Sequence, residues 1–389
     1  TYSLILEPVN ILITEKGKAA TRAAVLEYFD VSGDDFDKHI ANEDSYYEVV
    51  LKDLPYTKVK AFEDYCKTDE GADVIGVRFE TVYKRNYPNG SLACHLLGYT
   101  ASGNVGQGGI EGYYNDYLNG VDGKTYRYMS GSGGVDSETV AAQNGETVVS
   151  TIDMNIQKII EDNITEYMQN TGAKQIGIIA MDPNNGEILG MASYPTFNLN
   201  DPRKLTGMYT DEEIKDMSDE EYRNNLYSLW TNYCVSESYE PGSTFKPVTV
   251  ASALEEGVVK DGDTYVCKGF ETVADYKLKC HVFSTIGSHG SLTVEQALMN
   301  SCNPYMIHLA LEMGNSRFAY YQSLFGFGKI TGIDLPGETT GIVYGDRMTT
   351  IDAACNSFGQ TINVNMMQMM AAYCSIINGG MLYQPHIVK

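Results

Sequence analysis

The stretch Tyr239-Glu240-Pro241-Gly242-Ser243-Thr244-Phe245-Lys246-Pro247 restricts the fold of this chain more than any other. Two prolines and a glycine limit its backbone. Pro241-Gly242 makes an abrupt turn, and Pro247 fits only near the start of a helix, where few backbone donors are used. The apolar run at 248–254 then suits a buried helix, with Gly257 as its C-cap. A serine therefore stands at the mouth of a helix with a lysine three residues on, and positions i and i+3 share a helix face. The Lys246 amine is expected to reach the Ser243 hydroxyl. A serine hydroxyl needs a base beside it to act as a nucleophile. Lysine is that base only when its pKa is lowered, by burial or by the positive end of a helix. Alone, S-x-x-K describes an ordinary helix start with a solvated lysine equally well. Ser243 is nevertheless the only serine in the chain with a lysine at that spacing.

A second polar element follows at Ser301-Cys302-Asn303. Thr293-Val294-Glu295-Gln296 reads as a capping box that opens a helix through Met299. That helix breaks at Asn300, and Pro304 restarts a helix at its first turn. A break of this kind can aim two polar side chains into a cleft. A hydroxyl there can relay a proton, and an amide can hold a carbonyl and an N–H of a substrate. The bland alternative is a helix–helix turn in which Asn and Ser cap backbone groups. Ser102-Gly103-Asn104 matches the same spacing in an upstream loop and is set aside.

The rest of the chain supplies context. Residues 1–13 and 46–51 and 74–83 read as strands, with helices at 16–29 and 62–66. A glycine-rich tract at 104–123 carries a small helix, and Ser130-Gly131-Ser132-Gly133-Gly134 reads as a loop tip. A boundary near 136–146 divides the chain into 1–140 and 141–389. Residues 147–151 read as a strand. Asp153 caps a helix bearing Ile156, Ile159, Ile160, Ile164 and Met168. Pro183-Asn184-Asn185-Gly186 joins a hairpin between 176–181 and 187–193. Residues 201–225 read as a charged loop with short helical pieces, 325–338 as a glycine-rich loop, and 353–377 as one long methionine-rich helical region. With 28 basic against 51 acidic residues the net charge is −23, which argues against nucleic acid and anionic membrane surfaces as partners. No apolar run approaches the roughly 20 residues of a membrane span. The eight cysteines form no C-x-x-C. Cys267 and Cys280 bracket a short loop and could pair in an oxidising compartment. With His281 and His289 they could also be called a zinc cluster, but the spacing fits no common finger, so no metal is expected.

Taken in order, these stretches resemble the class B penicillin-binding proteins, the monofunctional transpeptidases of peptidoglycan. Ser243-x-x-Lys246 followed by Ser301-x-Asn303 is similar to the pattern of that family and of serine β-lactamases. The 239–247 stretch resembles its nucleophile motif, Met181 to Ser193 its first hairpin, and Phe325 to Glu338 one of its loops. Arg85-Asn86-Tyr87-Pro88 and Gly109-Ile110-Glu111-Gly112 resemble its pedestal domain. The resemblance implies an α+β fold: an antiparallel sheet wrapped by helices at 141–389, on an elongated β-rich pedestal at 1–140. It implies that Ser243 is acylated by the penultimate D-Ala of a stem peptide, with Lys246 as base. Ser301 passes the proton to the departing amine, Asn303 holds the peptide, and the Ser243 N–H supplies half an oxyanion hole. No cofactor is required.

The implied partners are stem peptides, β-lactams and a membrane glycan polymerase, at the extracytoplasmic face of a bacterial cell membrane. A membrane anchor is expected upstream of Thr1, which opens mid-pattern. The family's third motif, K-T-G on a strand, does not occur between Ser301 and Lys389, so the transpeptidase domain reads as C-terminally incomplete. A protein ending at Lys389 is expected to label weakly or not at all with a fluorescent penicillin. Two other readings stay open: a β-lactamase or D,D-carboxypeptidase of the same superfamily, for which Glu338 would be a candidate deacylating base, and a degenerate scaffold or sensor.

Overall fold

The computed structural model describes residues 1–101, 103–129, 135–205 and 208–389. The 130–134 loop tip, and Ser102 of the S-x-N match set aside above, lie outside them. Two compact units emerge, Thr1–Asn86 and Tyr87–Lys389.

In the first unit, β1 (Tyr2–Leu6) is the centre of a three-stranded antiparallel sheet between β2 (Glu48–Leu54) and β3 (Val77–Thr81). Leu4, Ile5 and Leu6 are all fully buried, so β1 reads as an apolar run instead of an alternation. The strand ends at Leu6 because Pro8 opens α1 (Pro8–Ile11), earlier than the sequence suggests. Helices α2 (Glu15–Tyr28), α3 (Gly33–Ile40) and α4 (Tyr56–Tyr65) complete the unit. Phe29, Phe62 and Phe79 meet with ring centroids 5.2–5.8 Å apart in its core. Sequence reading misses α3 because only Phe36 and Ile40 of that helix are buried, too few to show a period.

The second unit opens with short pieces: α5 (Cys94–Leu97), β4 (Tyr99–Thr100), β5 (Gly106–Gln107), α6 (Gly109–Tyr113) and α7 (Asn115–Leu118). A hairpin of β6 (Lys124–Met129) and β7 (Val135–Val140) follows. Residues 147–151, expected as a strand, form only an isolated bridge, Ser150 with Val388. Asp153 then caps α8 (Met154–Thr171), accepting from the N–H groups of Asn155 and Ile156, and Gly172 ends it at φ 62°.

The hairpin of β8 (Ile176–Met181) and β9 (Ile188–Tyr194) is sandwiched between helices. Ile176, Ile178, Ala180 and Ala192 share a cluster with Ile156, Ile160 and Ile164 of α8. The alternate residues Ile179 and Met191 pack against Cys234, Val235 and Met367 on the other face. A period of two along the strand thus feeds two helical layers. The residues at 201–225 are more helical than expected. Thr210 and Ser218 cap α9 (Asp211–Asp216) and α10 (Asp219–Trp230), and α11 (Tyr233–Ser236) follows.

The second half of the unit surrounds one apolar helix. It comprises α12 (Lys246–Glu256), β10 (Thr264–Cys267), β11 (Phe270–Val273), β12 (Tyr276–Lys279), β13 (Gly290–Thr293), α13 (Val294–Met299), α14 (Asn303–Met313), α15 (Asn315–Leu324), α16 (Thr350–Asn356) and α17 (Met366–Ile377). Pro304, Tyr305, Met306, Ile307, Leu309, Ala310 and Met313 of α14 are all buried, and only a narrow face with Glu312, half-buried His308 and half-buried Leu311 meets solvent. The expected single helical region at 353–377 is interrupted between α16 and α17. Gly359 at φ 79° and Thr361 at φ 60° take the chain out of the helical region there.

Candidate active site

Ser243 lies in a short 3₁₀ turn, Gly242–Phe245, that leads directly into α12. Phe245 is fully buried and anchors the turn, while Ser243 stays exposed. A strap at 357–364 holds this segment from behind. Tyr239 and Val364 exchange backbone hydrogen bonds at 3.0 Å each, and the Gly242 N–H donates to Gly359 O at 2.8 Å. The Thr361 N–H donates to Glu240 Oε1 at 2.9 Å, and Thr249 Oγ1 donates to Ser357 O at 2.8 Å. Tyr373 OH donates to Thr244 O at 2.6 Å.

Gly359 explains the break between α16 and α17. A Cβ there would lie 2.0 Å from Gly242 O, so two backbones approach closer than any side chain permits. The replacement Gly359→Ala adds that clash to a left-handed backbone and is expected to destabilise the protein by about 2–4 kcal/mol. Chemical denaturation measures this; an unchanged midpoint would show that the strap yields.

The Ser301 turn has its own local cause. The Cys302 N–H donates to Ala297 O at 2.8 Å and the Ser301 N–H to Leu298 O at 3.0 Å. That pair of bonds is a Schellman ending of α13, with Asn300 as C-cap and Ser301 in the left-handed position usually given to glycine. Ser301 has φ 50°, which strains a non-glycine residue by roughly 1 kcal/mol. Cys302 is then the N-cap of α14, and Pro304 sits in its first turn.

These two elements place the expected residues together. Lys246 is 1% exposed. Its Nζ donates to Ser301 O, Ser301 Oγ and Asn303 Oδ1, each at 2.7 Å. Ser301 Oγ lies 2.9 Å from Ser243 Oγ. The direct Ser243–Lys246 hydrogen bond expected from i, i+3 spacing is not among the bonds of the described residues. The long side chain runs past the serine to the three acceptors at 301 and 303, and Ser301 bridges the gap. Burial pulls the Lys246 ammonium down to about 8, against an opposing pull from Cys280 and Cys302. Asn303 Nδ2 donates to Lys279 O at a long 3.3 Å. Glu338 is committed elsewhere: its carboxylate accepts from Thr331 N–H and Oγ1 and from the Gly332 N–H, closing its own loop.

With Lys246 charged, its amine donates to Ser301 Oγ and Ser301 Oγ donates to Ser243 Oγ; loss of one ammonium proton reverses both bonds. Ser301 O and Asn303 Oδ1 can only accept. A neutral Lys246 amine therefore spends its two hydrogens on them and turns its lone pair to Ser301 Oγ. Ser301 then gives its proton to the amine and accepts from Ser243. A continuous path runs from the exposed serine to a buried base. The fold brings together all four residues expected from sequence, and adds Gly359 and Tyr373, which act through the backbone; a glycine inside a helix-like stretch is the available signal for the first.

A serine linked through a second hydroxyl to a buried, low-pKa amine is the machinery of acyl transfer through serine. The penicillin binding protein transpeptidase domain matches residues 176–389, and the penicillin-binding protein dimerisation domain matches residues 1–150. The chain belongs to the penicillin-binding protein transpeptidase family. It is 33% identical to stage V sporulation protein D of Bacillus subtilis, over 90% of this chain and 52% of that protein. It is 28% identical to the peptidoglycan D,D-transpeptidase FtsI of Escherichia coli K12, over 80% of this chain and 49% of that protein. The chain thus spans about half the length of the curated relatives it matches. Penicillin binding protein 2X from Streptococcus thermophilus shares the fold over 100% of this chain and 57% of its own, at 23% identity and a TM-score of 0.76. PBP2 of Helicobacter pylori, solved in a complex with MreC, does so over 100% and 73%, at 23% identity and a TM-score of 0.75.

Proposed function

We propose that this chain performs the D,D-transpeptidase reaction that cross-links peptidoglycan stem peptides, through an acyl-enzyme on Ser243. The observation that carries the reading is the unbroken path Lys246 Nζ–Ser301 Oγ–Ser243 Oγ, at 2.7 and 2.9 Å. Ser243 Oγ attacks the penultimate D-Ala carbonyl, and its proton passes through Ser301 to neutral Lys246. The C–N bond to the terminal D-Ala breaks, and Ser301 returns the proton to the leaving amine. A second stem-peptide amine then attacks the ester, forms the cross-linking amide and restores the Ser243 hydroxyl. Asn303 holds the peptide: its long bond to Lys279 O is readily exchanged for a substrate carbonyl. The Ser243 N–H supplies half an oxyanion hole.

A β-lactam enters the same path and stops at the ester. No carboxylate of the kind proposed for hydrolysis is free at Glu338, which favours a lasting acyl-enzyme over a β-lactamase. Residues 1–140 serve as pedestal and 141–389 as the catalytic domain; the matched ranges 1–150 and 176–389 support that division. On this reading the site lies at the extracytoplasmic face of a bacterial membrane beside a glycan polymerase, as the family resemblance implies; the relatives' names support the peptidoglycan substrate. No helix of the described residues is long and apolar enough to cross a membrane.

Intact-mass analysis of the full-length protein after incubation with penicillin tests the proposal. A single, long-lived acyl adduct mapped to Ser243 is expected, with none in Ser243→Ala. Rapid turnover of penicillin, or an adduct that survives Ser243→Ala, would sink it.

A further inference from the structure

Four side chains that the acylation path does not use meet beside the Ser301 turn. Cys267 ends β10, Cys280 follows β12, His289 precedes β13, and Cys302 caps α14 between Ser301 and Asn303. Their sulfur and ring-nitrogen atoms all lie within 4.8 Å of one another, the three cysteines buried and His289 half-buried. Cys280 Sγ is 3.6 Å from His289 Nδ1. None of the eight cysteines is in a disulfide, so all three thiols are available as ligands. A tetrahedral zinc with arms of about 2.3 Å to sulfur sets its ligand atoms about 3.8 Å apart. Small side-chain rotations therefore close this set on a metal.

The surroundings are built to match. The Gly269 N–H donates to Cys267 Sγ at 3.4 Å, the kind of outer bond that orients a thiolate ligand. The Cys280 N–H donates to Gly269 O at 2.8 Å, which ties the two cysteine-bearing segments together. Gly269 itself sits at φ 86°, where a Cβ would lie 2.0 Å from Gly287 O. The loop is thus packed tightly enough to hold its ligands in place. Cys302 comes from a separate element, as the N-cap residue of α14.

We propose that Cys267, Cys280, Cys302 and His289 bind one Zn²⁺ in a closed structural site. Binding releases three thiol protons and leaves three thiolates, a neutral imidazole and a net charge of −1. All four positions are filled by protein, so the metal takes no part in acyl transfer. It instead ties the turn carrying Ser301 and Asn303 to the strands β10 to β13, and so acts as a positioning site. The sequence expectation of no metal weighs Cys267, Cys280, His281 and His289 but not Cys302, the residue that the fold brings in.

Metal analysis of the full-length protein tests the assignment. About one zinc per chain is expected, and cobalt(II) exchange should give the visible absorption of a tetrahedral thiolate site. His289→Ala should retain less than about a tenth of the zinc after dialysis, and His289→Cys, which keeps four ligands, should restore it. Removing the metal should slow penicillin acylation about 10–100-fold, reversibly on adding zinc. Zinc-free wild type after supplementation, zinc undiminished in both His289→Ala and Cys280→Ser, or recovery of two of the three cysteines as a disulfide would each overturn the proposal. Metal content does not depend on the transpeptidase reading. A zinc-loaded protein that never acylates sinks that reading alone, and an acylating protein without zinc sinks this one alone.

Discussion

Replacing Lys246 by methionine is expected to slow acylation of Ser243 by a β-lactam about 10²–10⁴-fold, the range supplied by one positioned base. Methionine is the fair test because its length and apolar stem suit a site where lysine is 1% exposed. Lys246→Arg should fare no better: a guanidinium keeps the charge but has no lone pair to offer. The pH profile separates the base from a merely structural lysine. Burial lowers the amine to about 8, so about one molecule in ten carries it neutral at pH 7. The wild-type acylation rate should rise about tenfold per pH unit below 8 and level off above it. That inflection should vanish in Lys246→Met. A wild-type rate independent of pH between 6 and 9 would refute neutral Lys246 as the base.

The second large effect is expected at Ser301, where activity and stability move in opposite directions. Ser301→Gly removes the hydroxyl that joins Lys246 to Ser243 and should slow acylation about 10²-fold or more. Glycine also relieves the left-handed backbone at φ 50°, so folding stability should rise by up to about 1 kcal/mol. Ser301→Ala should lose as much activity without the gain in stability. Denaturation midpoints beside acylation rates for both variants check this. Equal midpoints for glycine and alanine would mean that the turn is not strained, and a fast Ser301→Ala would mean that the proton bypasses it.

Much of the site was legible because its geometry is local. Ser243 and Lys246 are three residues apart at a helix start, and Pro241, Gly242 and Pro247 say where that start falls. Ser301 and Asn303 flank a helix break that Thr293, Gln296 and Pro304 mark out. What escaped depends on contacts between distant segments. Nothing near Gly359 says that its neighbour is the Gly242 carbonyl. Cys302 joins Cys267, Cys280 and His289 only after two hairpin-like loops fold over α14. The relay through Ser301 in place of a direct Ser243–Lys246 bond is set by acceptors more than fifty residues away. In the fold, the β8–β9 hairpin and its covering helices follow from alternation and periodicity. Helix α3 does not, having two buried residues, and 353–377 reads as continuous because a lone glycine, Gly359, is the one helix breaker in its interior, while the left-handed turn at Thr361 leaves no mark in residue type.

The strap at 357–364 has a bearing on biogenesis. Its bonds to the nucleophile segment span 108 and 121 residues of chain, and contacts of such separation form late. A polypeptide synthesised from its amino end presents Ser243 long before Gly359 arrives to brace it. Until those later residues dock, the segment carrying Ser243 lacks its rear support, so competence for acylation is expected to arise only late in folding.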